Sequence, residues 1–405
     1  MVEPPVPWPL YSSSASEQVA QLVRSGAIFD YAGQGRIAEV ERRLSEHYET
    51  QYALTLNSGT SAIFVALAAL GVEPGDEVVV AGWTFLAAIT PLLWLGAIPV
   101  LADVAPEQPV ASADSILKAL TPRTRVVVVT HLFGEPVDSC SLRDLLTPLK
   151  IALLEDCSHA HASDVGGRPP GTWADVAILS LGARKIVSGG HGGVLLTRNR
   201  ELYETALMVG HNKPRTRREF AGTAEAPHAE LGLGGNLRMS PVSAVLVLDH
   251  LNRLDTLSSA RLENVRVLES ALAPWLLPLR SKAPGENLTY FDLVWVLPAT
   301  QGRDERDAMI ATLNRIGLPA RSVSTRPLSQ TLRNVEASAG THSGRFWAQL
   351  QAWAGSRPIL PEAEALHDRA ISLPAELFYE AGAPYARHLA KALRQATATG
   401  MLWQI

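Results

Sequence analysis

Between residues 52 and 180 the sequence keeps repeating one pattern: a short apolar run, a few small or polar residues, then a stretch with helical spacing. The apolar runs fall at 52–56, 77–81, 98–102, 125–129, 151–154 and 176–179, with helical stretches such as 62–70 and 86–95 among them. Continuous apolar runs bounded by Gly, Pro and polar turn residues are the pattern of strands covered on both faces. Strands alternating with helices predict an α/β fold with a mostly parallel sheet and right-handed crossovers. Ligands of such sheets sit outside the carboxyl ends of the strands. The residues that close the apolar runs are therefore the leading candidates for chemistry.

Run 151–154 leads to Asp156, and run 176–179 leads to Ser180 and, five residues on, Lys185. A lysine in a partly buried pocket loses its proton more easily than the reference value of ~10.4 implies, and its free amine can condense with a carbonyl. Pyridoxal phosphate uses that chemistry. It needs a lysine for its aldehyde and an acid facing its ring nitrogen, a part open to Asp156. Taken singly, Asp156 reads equally as a cap or turn residue, and Lys185 as a solvated loop charge. Residues 57–61, Asn-Ser-Gly-Thr-Ser, close another run just before helix 62–70. A helix N-terminus there offers free N–H groups and a positive dipole end to a phosphate, with Gly59 permitting close approach and Thr60 adding a hydroxyl donor. An ordinary N-cap uses the same residues. Neither G-x-G-x-x-G nor G-x-x-x-x-G-K-[ST] is found at this turn, which argues against dinucleotide and P-loop readings. Phe85 and Trp83 follow run 77–81 and can stack on a cofactor ring or fill the core. His131 follows run 125–129 and can line a pocket or serve as a buried structural histidine.

The segments EDCSHAHAS, SLGARK and GGHGG resemble the DegT/DnrJ/EryC1/StrS family of pyridoxal-phosphate aminotransferases, densely over roughly residues 25–255. The resemblance implies a fold type I pyridoxal-phosphate-dependent transferase. A large domain with an N-terminal arm (1–251) would hold a mostly parallel, seven-stranded-type sheet, and a smaller C-terminal α/β domain (252–405) would cover the cleft. It makes Lys185 the cofactor-linked lysine and Asp156 the partner of the ring nitrogen. His159 lies near the 3-hydroxyl, Ser180 with Gly59 and Thr60 near the phosphate, and Phe85 rather than Trp83 on the ring face. The motif G-x-N-x-R-M is present with Asn236 and Arg238. In the family that asparagine reaches the phosphate of the opposite subunit, which implies a homodimer with shared active sites. Tyr31, His131, Lys213 and Arg238 are the candidate substrate contacts, and His161 is structural. His191 departs from the pattern, standing where an acidic residue is usual.

Composition bounds the partners. A 405-residue chain with 47% hydrophobic and 19% charged residues has ample material for two cores. A net charge of −4 gives no overall basic surface for nucleic acid. The basic run Lys213, Arg215, Arg217 and Arg218 reads as a solvated face or as a flexible loop clamping an anionic donor or acceptor. Two cysteines, Cys140 and Cys157, fit a reducing cytoplasm, and neither a secretory leader nor a membrane span is expected. No metal is expected. Residues 1–13 are Pro-rich and should run extended over a domain or a partner subunit. Beyond residue 255 a helix at 303–316 and strands at 290–297 and 370–374 are expected. Ser324, Arg326 and Pro327 are further possible contacts.

The function this implies is ping-pong transamination from L-glutamine or L-glutamate to a keto-sugar or keto-cyclitol in antibiotic or other secondary metabolism, with Lys185 as the proton-moving acid and base. Another pyridoxal reaction on a sugar-like substrate, or a non-catalytic cofactor-binding regulator, remains the alternative. Relatives that run dehydration replace the lysine with histidine, so Lys185 argues against that branch.

Overall fold

The computed structural model describes residues 8–398 apart from 284, 286, 337–343 and 357. A seven-stranded sheet is built from β1 (Tyr52–Leu56), β2 (Glu77–Ala81), β3 (Ile98–Ala102), β4 (Thr124–Thr130), β5 (Ala152–Asp156), β6 (Val176–Ser180) and β7 (Gly193–Thr197). Their order is β1-β7-β6-β5-β4-β2-β3, and all strands are parallel except β7, which runs antiparallel to both neighbours. The continuous apolar runs are explained by the pleat, since successive side chains point to opposite faces and both faces are covered. Val78, Val80, Val126 and Val128 join one core beneath the helix Gly59–Ala69, while Val79, Val127 and Val129 join another beneath Ala113–Ala119 and Ser139–Leu146.

Sequence periodicity did not separate β7 from the glycine-rich turn before it. The strand pairs back onto β6 with Ser180 opposite Gly193. The helix expected at 86–95 is broken into a 3-10 turn, Leu86–Ala88, and a helix, Thr90–Leu95. Pro91 fits the break, because it has no N–H to bond backwards and is tolerated only in the first turn of a helix.

A second, four-stranded sheet contains β8 (Leu277–Pro278), β9 (Asp292–Val296), β10 (Arg321–Ser322) and β11 (Ala370–Pro374), in the order β10-β11-β9-β8 and antiparallel throughout. Helix Ala383–Ala398 packs on it through Ala386, Leu389 and Leu393. The two sheets share one long helix, Pro241–Leu272, whose 32 residues span about 48 Å at 1.5 Å per residue. Ala244, Val247 and Leu254 sit in the core shared with β6 and β7, whereas Val265, Leu268 and Leu272 sit in that of the smaller sheet. Position 251 therefore falls inside a continuous helix, and the change from one core to the other is made along its length.

The segment around 213–232, read as a solvated face or a flexible loop, contains two short helices, Lys213–Glu219 and Ala226–Leu231. Arg215 explains the order. It is buried, and its guanidinium meets both Glu41 oxygens at 2.8 Å and Glu219 at 3.0 Å. Arg217 pairs with Glu230, and Arg218 with Glu219 and the Gly33 carbonyl. The basic run is thus mostly engaged within the fold.

Candidate active site

A cleft of about 350 Å³ opens at the carboxyl edge of the large sheet. Gly59, Thr60, Phe85, Asp156, His159, Ser180 and Lys185 all line it, with Thr130, Ser158, Arg184, His191, Phe291, Ser324 and Thr325. Asp156 and Ser180 are the last residues of β5 and β6, and Lys185 follows in the loop toward β7. The turn before Lys185 is closed by its amide donating to the Gly182 carbonyl at 3.0 Å.

Burial is the largest influence on Lys185 and lowers its pKa to about 8; Asp156 acts in the opposite sense and Arg184 adds to the depression. The amine is 4.2 Å from the centre of the Phe291 ring, a face-on cation–π contact. Phe291 stacks in turn on His159, with centroids 3.6 Å apart and planes 6° from parallel. Burial, then the charges of Lys185 and Arg184, hold the His159 pKa well below the ordinary value, so the ring is neutral. Its Nδ1 accepts from the Phe133 amide at 3.3 Å, which leaves Nε2 to carry the proton and act as a donor. The Asp156 carboxylate accepts from the Ser158 amide at 3.0 Å.

The cleft also takes in the N-terminus of helix Gly59–Ala69. Ser58 caps it, accepting from the Ser61 amide at 3.1 Å, and the first amides of the helix have no carbonyl to bond backwards. Gly59 is required by contact: a Cβ there would stand 2.8 Å from the Ser180 Cβ. Phe85 is 62% exposed and forms a wall, whereas Trp83 is fully buried with its indole N–H on the Thr325 carbonyl. A depressed amine, a facing carboxylate, a neutral imidazole donor, an aromatic wall and a helix terminus against a hydroxyl fit the aldehyde, ring and phosphate of pyridoxal phosphate.

A family model described as the DegT/DnrJ/EryC1/StrS aminotransferase family matches residues 11–377. This chain belongs to that family. It is a pyridoxal-phosphate-dependent aminotransferase. Among relatives, it is 28% identical over 331 residues to the L-glutamine:2-deoxy-scyllo-inosose aminotransferase of Streptomyces kanamyceticus, covering 77% of this chain and 76% of that protein. It is 26% identical over 323 residues to the GDP-perosamine synthase of Escherichia coli O157:H7, covering 79% and 83%. The solved structure of 3-amino-5-hydroxybenzoic acid synthase superposes with a TM-score of 0.79 at 26% identity, over 98% of this chain and all of that one.

Other sequence candidates lie elsewhere in the aminotransferase. His131 is fully buried outside the cleft: its Nδ1 accepts from the Val137 amide at 3.0 Å and its Nε2 meets Glu155 at 2.8 Å, so a substrate contact is replaced by a structural role. Tyr31 and Arg238 meet each other, the guanidinium 4.7 Å from the ring centre, and Arg238 also donates to Asn212. They and the exposed Asn236 and Lys213 are not among the cleft's lining residues within one chain. Arg326 lines a separate basic hollow with Arg303, Arg306 and His367. Arg184 and Phe291 were missed by the sequence reading. Arg184 directly precedes the lysine, and it binds Glu376 at 3.1 Å and Asp292 at 2.8 Å. Phe291 gave no signal beyond an aromatic at the edge of an expected strand.

Proposed function

We propose that the enzyme transfers the amino group of L-glutamine or L-glutamate to a keto-cyclitol or keto-sugar, in antibiotic or other secondary-metabolite biosynthesis. The observation that carries the site assignment is the depressed amine of Lys185 sharing a cleft with Asp156 and the N-terminus of helix Gly59–Ala69. The glutamine-named cyclitol relative supports the donor and acceptor class.

Pyridoxal phosphate, when bound, supplies an electron sink for the bonds at the amino-bearing carbon. In this reading Asp156 faces the ring nitrogen and keeps it protonated. His159, neutral and fixed by the Phe133 amide, donates from Nε2 to the 3-oxygen. Gly59, Thr60 and Ser180 hold the phosphate, and Phe85 limits the tilt of the ring and excludes water. The Lys185 amine, with a pKa of about 8, is within reach of neutral pH and can take a proton from the substrate carbon and return it.

The functional unit in this reading is a homodimer with shared sites. Support comes from exposed Phe29 and Tyr31, whose ring centroids are 5.2 Å apart, and from a hollow of about 450 Å³ lined by Phe29, Asp30, Tyr31 and Pro241. There Asn236, Arg238, Tyr31 and Lys213 are offered to a partner's cleft. The free thiols Cys140 and Cys157 suit a cytoplasmic setting. Mixing the loaded enzyme with L-glutamine should shift its visible absorbance band, and a panel of free and nucleotide-linked keto-cyclitols and keto-sugars should show which acceptor restores it. A band that answers to no amino donor sinks the reading and favours a regulatory homologue.

A further inference from the structure

We propose that residues 8–12, a strap crossing behind the lysine loop, together with His250, form a positioning device that fixes the backbone from which Lys185 reaches into the cleft. The proposal rests on Lys185 being the reacting amine. The loop 182–190 includes Gly182, Gly189 and Gly190, so its backbone has more freedom to lose than most. The strap removes that freedom at two points. The indole N–H of Trp8 donates to the carbonyl of Lys185 itself at 3.0 Å. The Tyr11 hydroxyl donates toward Ser188, 3.3 Å from its carbonyl and 3.2 Å from its Oγ.

His250 joins strap and loop. The Trp8 and Tyr11 rings both stack on its imidazole, with centroids at 4.8 and 4.7 Å. Its Nδ1 accepts from the Ser188 amide at 3.0 Å, and its Nε2–H donates to the Leu10 carbonyl at 3.2 Å. Burial pushes its pKa down to about 4, so the neutral tautomer that makes both bonds persists at working pH. The strap is anchored in turn: Ser12 donates from its amide and hydroxyl to Asp249 at 3.1 and 2.5 Å, and Arg253 donates to the Leu10 carbonyl at 3.2 Å. Asp249, His250 and Arg253 all belong to helix Pro241–Leu272. The backbone of the lysine loop is thus tied, across 177 residues of sequence, to a rigid helix that spans both cores.

Position matters because the amine must meet two partners in turn, the cofactor and the substrate carbon, and small displacements of a reacting group cost large factors in rate. Trp8→Phe keeps the ring on His250 and deletes the N–H donor. It should lower kcat about five- to tenfold with KM for the amino donor held within about twofold, the loss of one hydrogen bond that counts at the reacting geometry. Titration of the cofactor-free protein with pyridoxal phosphate, read by absorbance, should show affinity weakened about fivefold with the melting temperature little changed. Tyr11→Phe should move both readouts the same way by a smaller factor, and it carries the test if Trp8→Phe does not fold. Folded variants with kcat and cofactor affinity at the parent values overturn the proposal, as does a loss that only tracks the unfolded fraction. Lys185→Ala separates this from the reading beneath it: a visible band that survives there removes the lysine assignment whatever Trp8 does.

Discussion

The cleft around Lys185 and the edge around Tyr31 both carry residues that the sequence singles out, and they differ in how much of their environment one chain supplies. In the cleft, burial and neighbours already set the chemistry: Lys185 is depressed, His159 is neutral and oriented, and Gly59 is pressed against Ser180. At the edge Phe29 is 63% exposed and Tyr31 50%, and Arg238 lies over the Tyr31 ring at the surface. The contrast is that burial and neighbours within one chain set the environment of the cleft's groups, while Phe29, Tyr31 and Arg238 at the edge stand at least partly open to solvent.

The largest effect should come from the cleft. Lys185→Ala should abolish the visible cofactor band and lower transamination by about 10³-fold or more, with the circular dichroism of the folded chain retained. Asp156→Asn keeps the shape and removes the charge at the ring nitrogen; turnover should fall by about 10²-fold, and a variant retaining half its rate would break the assigned pairing. Gly59→Ala forces a Cβ to 2.8 Å from that of Ser180, so helix and strand end must part. Its cofactor affinity should drop by roughly tenfold, measured by absorbance titration.

Much of the cleft was legible in the sequence because a parallel strand buried on both faces announces itself and ends at a predictable edge. Six of the seven large-sheet strands were visible as apolar runs, and the residues closing β5 and β6 meet as expected. What escaped was set by tertiary contact. β7 follows directly on a glycine-rich turn and is fixed by pairing back onto β6, and Phe291, directly before β9, stacks on His159. Arg215 looked like a free cation until Glu41, 174 residues away, was placed beside it. His131 carried a pocket-like position but lies behind the strand end, where Glu155 and the Val137 amide occupy its nitrogens.

Acid sharpens the contrast through histidine. Burial lowers the pKa of His159 well below its ordinary value, those of His161 and His211 to about 3, and that of His250 to about 4. The unfolded chain, with histidines near ~6.5, binds more protons than the folded chain once the pH drops below that value. Their contribution to stability is therefore fully present above pH ~6.5 and is lost as pH falls toward the folded values, at up to about 1.4 kcal/mol per pH unit for each histidine. Urea midpoints should fall steeply from pH 6 to 5. Replacing His161 with Gln should shallow that slope, and no change in slope would show that burial does not hold the ring neutral.

The smallest effect on the monomer's fold, and the most telling for the edge, is expected of Arg238→Ala. The residue is partly exposed and its ring contact lies at the surface, so stability should change by less than about 0.5–1 kcal/mol. If the edge completes a partner's cleft, activity should nonetheless fall about tenfold, because a guanidinium offered to a desolvated site is worth more than one in water. Mixing decides between a shared site and a local one. Unfolded and refolded together, Lys185→Ala and Arg238→Ala chains form hybrids in which one cleft combines the intact lysine of one chain with the intact arginine of the other. Shared sites predict activity rising above either parent toward about a quarter of the natural level, set by half the dimers carrying one good site each. Activity equal to the average of the two parents would place Arg238 in service of its own chain and confine the reacting constellation to the monomer.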